Sequence, residues 1–264
     1  MSLAKKTLKN SYIDLLQMDN SNGGISAITR RIKDGGGNSS AIALSDDIVA
    51  IQPVNDDTGG TLVVTNKSGT TLLQVDASTP IVQALGNTVN TQYATFSTAN
   101  VESATFAANT HQALTFGHSN YGASGEVPAF GTSTDPATTF TTSEGADTRA
   151  SCLVPVMWYV PDAISIDSIN SIEGADAATG DTTRMHLFSY TFTSGATNCL
   201  TSGALLAHNS DVSNSGSEQV YLTTWTIDSA SVAAGKVILA FFRSDSVSSD
   251  YSVQITVKYH LTLT

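Results

Sequence analysis

The chain is short of charge, of cysteine and of long apolar runs, and each shortage removes a class of protein. Charged residues make up 13% of its 264 positions, about half the ~25% usual in soluble proteins. Its polar surface therefore has to come from other residue types. Cys152 and Cys199 are its two cysteines, too few and too far apart for a disulfide framework or a zinc site. As buried thiols they need no partner, and a single disulfide between them stays open. No run of ~18 apolar residues occurs, and Met1-Ser-Leu-Ala-Lys-Lys-Thr-Leu-Lys9 lacks the apolar core of a secretory signal. A protein made in a cytoplasm, without a membrane span, is expected.

Catalytic patterns are missing as well. There is no GxxxxGK or GxGxxG to cradle phosphate and no GxSxG elbow. His111, His118, His186, His208 and His260 form no HxH or HxxxH pair. Ser124, in Gly122-Ala-Ser-Gly125, lies in a small-residue loop. Asp46-Asp47 and Asp56-Asp57 flank the predicted strand 48–54, where neighbouring side chains point to opposite faces, so neither pair makes the facing carboxylates of a glycosidase. Their expected role is in turns. Asp56 and Asp57 offer hard oxygens for Ca²⁺, but calcium-loop spacing is absent. No catalytic residue, cofactor site or metal site is expected, and the chain reads as a non-enzyme.

What is present is Ser and Thr, together about a quarter of the chain, with Asp, Asn and Gly for turns; Lys and Glu, the favoured surface residues of helices, are scarce. The chain is expected to be mostly β. Its charge of −11 is unevenly placed. Lys5, Lys6, Lys9, Arg30, Arg31 and Lys33 against Asp14 and Asp19 give residues 1–33 a charge of +4, leaving −15 on the rest. Such an arm suits an acidic protein surface. A nucleic-acid footprint is disfavoured, because the basic residues fall in two groups and the body would repel phosphate.

Leu8, Tyr12, Leu15 and Leu16 have helix-like spacing over residues 7–18, a segment too short to be stable alone. Residues 34–40 are rich in Gly and read as a turn or hinge. Short β-runs follow at Ala41–Leu44, Ile48–Val54, Leu62–Thr65, Leu72–Asp76 and Ile81–Leu85. The clearest piece is a hairpin over Thr61–Asp76 with Asn66-Lys-Ser-Gly69 as its turn and Gly69 at the tight position. Hairpins this small do not bury an apolar face alone. Beyond a loop-rich stretch over 97–150, strands are predicted at Leu153–Val160, Ala163–Ile169, Arg184–Thr193, Val220–Ile227, Val237–Arg243 and Tyr251–Leu263. In the last, Tyr251, Val253, Ile255, Val257, Tyr259, Leu261 and Leu263 share one face, so one side is buried and one wet. Six such strands predict an antiparallel β-sandwich, of jelly-roll rather than barrel topology.

Four N-terminal blocks, Ser11-Tyr-Ile-Asp-Leu-Leu-Gln-Met-Asp-Asn20, Ser45-Asp-Asp-Ile-Val-Ala-Ile-Gln-Pro-Val-Asn-Asp-Asp57, Leu62-Val-Val-Thr-Asn-Lys-Ser-Gly-Thr-Thr-Leu-Leu-Gln-Val-Asp76 and Val89-Asn-Thr-Gln-Tyr-Ala-Thr-Phe96, resemble virion structural proteins of tailed bacteriophages, in particular fibre-like appendage proteins of marine phages. The resemblance covers about a third of the chain and implies three-fold wrapping of the hairpins. The resulting expectation is a homotrimer with an attachment arm over 1–40, a β-rich stem over 41–110 and a C-terminal β-sandwich over 111–264. The arm residues Lys5, Lys6, Lys9, Tyr12, Leu15, Leu16, Arg30, Arg31 and Lys33 would meet another virion protein, whether capsid, portal or adaptor, or tail. A capsid decoration or head-fibre role is the alternative; a carbohydrate-binding module or a polysaccharide depolymerase ranks below it. Trp158 and Tyr159 lie on opposite faces of a predicted strand, so at most one is free to stack on a host surface glycan.

Overall fold

Short β-runs cut by Asp, Asn and Gly become strands of two units, residues 1–90 and 91–264. The computed structural model describes residues 16–18, 24–55, 60–78, 81–101, 108–117, 153–176, 179–197, 199–246 and 250–262. Among these, regular structure is β apart from a short helical turn at Val154–Val156.

The N-terminal unit holds two four-stranded antiparallel sheets, each a simple meander. The first runs β1 (Gln17–Met18), β2 (Arg30–Lys33), β3 (Ser39–Leu44) and β4 (Val49–Ile51), the second β5 (Leu62–Thr65), β6 (Thr71–Asp76), β7 (Ile81–Ala84) and β8 (Asn87–Thr88). The Gly-rich stretch between β2 and β3 is a closed turn rather than a hinge. The Asp34 carboxylate accepts the N–H groups of Gly36 and Asn38 at 2.9 Å and the Asn38 side-chain amide at 2.8 Å, and Gly37 takes φ +89°. Those bonds, the Asn38 side chain's foremost, hold the Asp34 carboxyl below the usual carboxylate range. The expected hairpin is present: Asn66 Oδ1 accepts from the N–H of Ser68 and Thr70, and Gly69 sits at φ +87°. The helix-like spacing over 7–18 does not carry to its end, since Gln17 and Met18 are extended and pair with Lys33 and Ile32. The rest of that segment, apart from Leu16, lies outside the described residues.

The C-terminal unit comprises β9 (Thr91–Val101), β10 (Gln112–Ala113), β11 (Thr115–Phe116), β12 (Trp158–Val160), β13 (Ile164–Asp176), β14 (Thr182–Phe192), β15 (Leu200–His208), β16 (Val212–Ser213), β17 (Glu218–Thr224), β18 (Thr226–Ile227), β19 (Ser231–Val232), β20 (Lys236–Ser244) and β21 (Asp250–Leu261). They form two antiparallel sheets. One has the order β11-β9-β21-β13-β17 with β19 beside β13; the other has the order β10-β20-β14-β15-β18 with β12 beside β20 and β16 beside β14. Between the sheets lies one apolar core, in which Phe96, Ile169, Ile255 and Val257 meet Met185, Leu187, Ile238 and Phe242, all fully buried. The opposite face of the second sheet is also covered. There Phe188, Tyr190, Leu239 and Phe241 pack with Leu153 and Val156 from the helical turn. Strand β20 is thus buried on both faces along almost its whole length, as its uninterrupted apolar run requires.

The last strand alternates as expected and runs through the middle of its sheet, paired with β13 on one side and β9 on the other. Two expected boundaries fall elsewhere. The break at residue 40 would cut through β3, and β9, inside the expected stem, belongs to the C-terminal unit because it is zipped to β21 from Thr91 to Val101.

Candidate functional site

Exposed apolar surface dominates the N-terminal unit. Each sheet there is three to six residues long in its main strands, whose described side chains are nearly all half-buried or exposed. Among its described residues Ala43 is the one buried apolar side chain, while Ile42, Ile48, Val49, Ile51, Val63, Val64, Leu72 and Val82 are exposed. β-branched residues that built these strands by propensity therefore find no buried core among the described residues of the unit.

The arm residues divide. Lys5, Lys6, Lys9, Tyr12 and Leu15 lie outside the described residues, and Leu16 is 73% exposed. Arg30, Arg31 and Lys33 sit on β2, half-buried. Arg31 is already occupied: its guanidinium donates to the carbonyls of Gln52 at 2.8 Å, Ser40 at 3.2 Å and Pro53 at 3.3 Å, pinning β3 and the segment after β4. It acts as a staple of the sheet.

Trp158 is withdrawn from the ligand-contact pair by burial. It is 7% exposed, stacked on Phe116 at 5.8 Å between ring centroids, and near Tyr259 at 5.0 Å and Phe96 at 6.3 Å. Tyr159, on the other face of β12, is 53% exposed. Asp56, Asp57, His118, Ser124 and Cys152 lie outside the described residues, and Cys199 is partly buried. Among the described residues no group of three His, Cys, Asp or Glu side chains is placed to hold a metal ion, and no helix is long and apolar enough to cross a membrane.

Two polar arrangements inside the sandwich went unread in the sequence. His111 and His186, both fully buried, face each other at 4.8 Å between ring centroids. Burial first, then the charges of His111, Arg184, His208 and Arg243, push His186 down to about 2, so its ring is neutral. On the opposite sheet Glu173 is 1% exposed, with Thr183 donating to it, and burial pushes its carboxyl up to about 7. Further polar ties hold the same end: Met185 N–H donates to Asn209 Oδ1 at 2.7 Å, the Tyr251 hydroxyl donates to Asp181 at 2.9 Å, and Arg243 donates to Asn109. These groups sit where strands are fixed to one another. An Arg or Glu in a run otherwise read as apolar strand was the available signal.

No protein-family model matches the chain, and no curated protein is significantly similar to it.

Proposed function

We propose that this protein is a non-enzymatic structural component of a tailed-phage particle, assembled as a homotrimer and working as a fibre-like appendage. The observation that carries the reading is the N-terminal unit, in which, among the described residues, Ala43 is the one buried apolar side chain while Ile42, Val49, Ile51, Val63, Val64, Leu72 and Val82 on its two small sheets are exposed. Such sheets become stable when other strands cover them, and identical copies supply matching strands without a second gene product. The N-terminal region would attach to another virion protein, with Lys5, Lys6 and Lys9 supplying basic charge, while the acidic C-terminal unit points outward. The sequence blocks that resemble phage appendage proteins support the same reading.

We assign the C-terminal unit a jelly-roll topology. In chain order its eight principal strands are β9, β12, β13, β14, β15, β17, β20 and β21, and first pairs with last, second with seventh, third with sixth, fourth with fifth. Nested pairing of this kind is what results when a long hairpin wraps into two Greek keys, an architecture used in viral capsids and lectins. Tyr159, exposed on β12, is an aromatic that a surface glycan would meet.

Light scattering on the purified chain tests the assembly: a mass three times the 27.5 kDa of one copy is expected, and a monomer at micromolar concentration overturns it. Immunogold labelling of intact particles tests the location. Label on the tail fits the appendage, label over the head favours capsid decoration, and unlabelled particles overturn both.

A further inference from the structure

The outer face of the six-stranded sheet ends in an edge that should not be bare. Ile172 on β13 and Val220 and Leu222 on β17 are exposed, the last two at 74%. Register gathers them: Leu222 lies opposite Ile172 and Val220 opposite Gly174. Gly174 keeps the patch flat, because a Cβ there would meet Ser252 Oγ at 3.0 Å. Strand β17 ends its sheet, with no strand beyond it among the described residues. Edge strands are ordinarily guarded by Lys, Pro or a bulge, yet Glu218-Gln-Val-Tyr-Leu-Thr-Thr224 has none of these and a single charge, at its start.

We infer that this edge and the sheet face behind it are where the C-terminal unit touches a neighbouring copy of the same chain. The inference rests on the oligomeric reading above and adds the surface that makes the contact. Charge decides the occupant. The unit carries 15 acidic and 5 basic residues, so two copies repel unless they meet through a neutral surface. This face is neutral across its middle, where Thr224, Asn170 and Thr256 continue the patch inward. Carboxylates lie at the two ends, in the row Glu218, Asp176 and Asp250 at one and at Asp167, which meets His260, at the other. The patch has no aromatic ring for a sugar to stack on and no charged anchor for a charged peptide.

Size sets how much the contact contributes. Four strands at ~4.8 Å spacing and about eight residues at ~3.3 Å each give a face of roughly 500 Å² in projection. A standard interface buries ~800 Å² per partner. The face therefore works together with the N-terminal unit, and damage to it should weaken the assembly rather than prevent it.

The test is sedimentation of the full chain over a dilution series, as wild type, as Val220→Asp with Leu222→Asp, and as Val220→Ser with Leu222→Ser. The aspartate pair should move trimer dissociation to a concentration at least about tenfold higher, with the serine pair in between. Thermal melting of the dissociated chains should match wild type, because both positions are exposed. Unchanged dissociation in both variants overturns this contact and leaves the trimer standing. A wild type that is monomeric at every concentration overturns both. A wild-type dimer that the aspartates split overturns the trimer and upholds the contact. Should the aspartate variant fail to fold, the serine pair decides, and hydrogen exchange adds a second readout: the β17 amides should be protected in the wild-type oligomer and exchange faster in the variant.

Discussion

The Thr183 hydroxyl on β14 donates a 2.6 Å hydrogen bond to Glu173 Oε1 on β13, spanning the gap between the two sheets of the C-terminal unit. A carboxyl at that position is held by one neutral donor and removed from water, so burial keeps its proton on to about pH 7.

The first prediction concerns that proton. Unfolded, Glu173 releases it near 4.5; folded, near 7. The folded state therefore binds more protons between these values, and its stability falls as pH rises from 4.5 to 7, by about 3 kcal/mol in all. Glu173→Gln keeps an acceptor for Thr183 without the charge. Urea titrations should show the variant more stable than wild type at pH 8, by up to about that amount, and similar at pH 4. Equal stability at pH 8 would show that the charge is accommodated without cost.

His186 works in the opposite direction. Its folded value of about 2 lies below the ordinary 6.5, so the unfolded chain binds the extra proton and stability falls as pH drops below 6.5. From pH 4.5 to 6.5 the two slopes oppose each other. Wild-type stability should be nearly level across that window, with acid unfolding below it. Removing either group should expose the other's slope: Glu173→Gln should gain stability with rising pH, and His186→Leu should lose it. Parallel profiles for the two variants would refute the pairing.

Deleting the chain from Tyr251 onward should abolish the cooperative melt of the C-terminal unit. Tyr251, Val253, Ile255 and Val257 are buried on a strand paired on both sides. At ~1.5–3 kcal/mol each they contribute ~6–12 kcal/mol, comparable with the ~5–15 kcal/mol that keeps a domain folded. A truncated chain with a single sharp transition would show the strand to be dispensable.

Arg31→Ala should loosen the first N-terminal sheet and leave the melt of the C-terminal unit unchanged. Three carbonyls lose their donor, at a cost of about 1.5–3 kcal/mol. Hydrogen exchange at β3 and β4 reads the effect. Lys in its place should rescue little, since one ammonium does not reproduce the guanidinium's fork. Full protection of β3 and β4 in the alanine variant would remove the staple.

Strand positions were legible wherever period-two patterning was strong. The Asn66–Gly69 turn and the buried face of β21 follow from local chemistry, and both stand in the structure. β13 is predicted to end at Ile169, yet it continues through Glu173 and Gly174 to Asp176. The glycine is needed where Ser252 comes close, and the carboxyl is carried protonated. β15 was missed because Thr201-Ser-Gly-Ala204 has little β propensity; pairing with β14 decides its conformation. Arg31 looked like a free charge, since nothing local announces that carbonyls 9, 21 and 22 residues away converge on it. Long-range partners of this kind are where reading the interaction surface from sequence stops.

The pairing of Thr91 with His260, where β9 begins and β21 nears its end, has a mechanical consequence. Entry and exit of the C-terminal unit lie side by side, so a pull applied between them peels β9 from β21 one hydrogen bond at a time, as a zip opens. Load between those two points meets little resistance, whereas load carried from β9 across the sheet to β17 must shear whole ladders at once. An appendage anchored through its N-terminal region would therefore grip its target with the strands far from Thr91, so that load entering at Thr91 crosses the sheet rather than leaving through the end of β21.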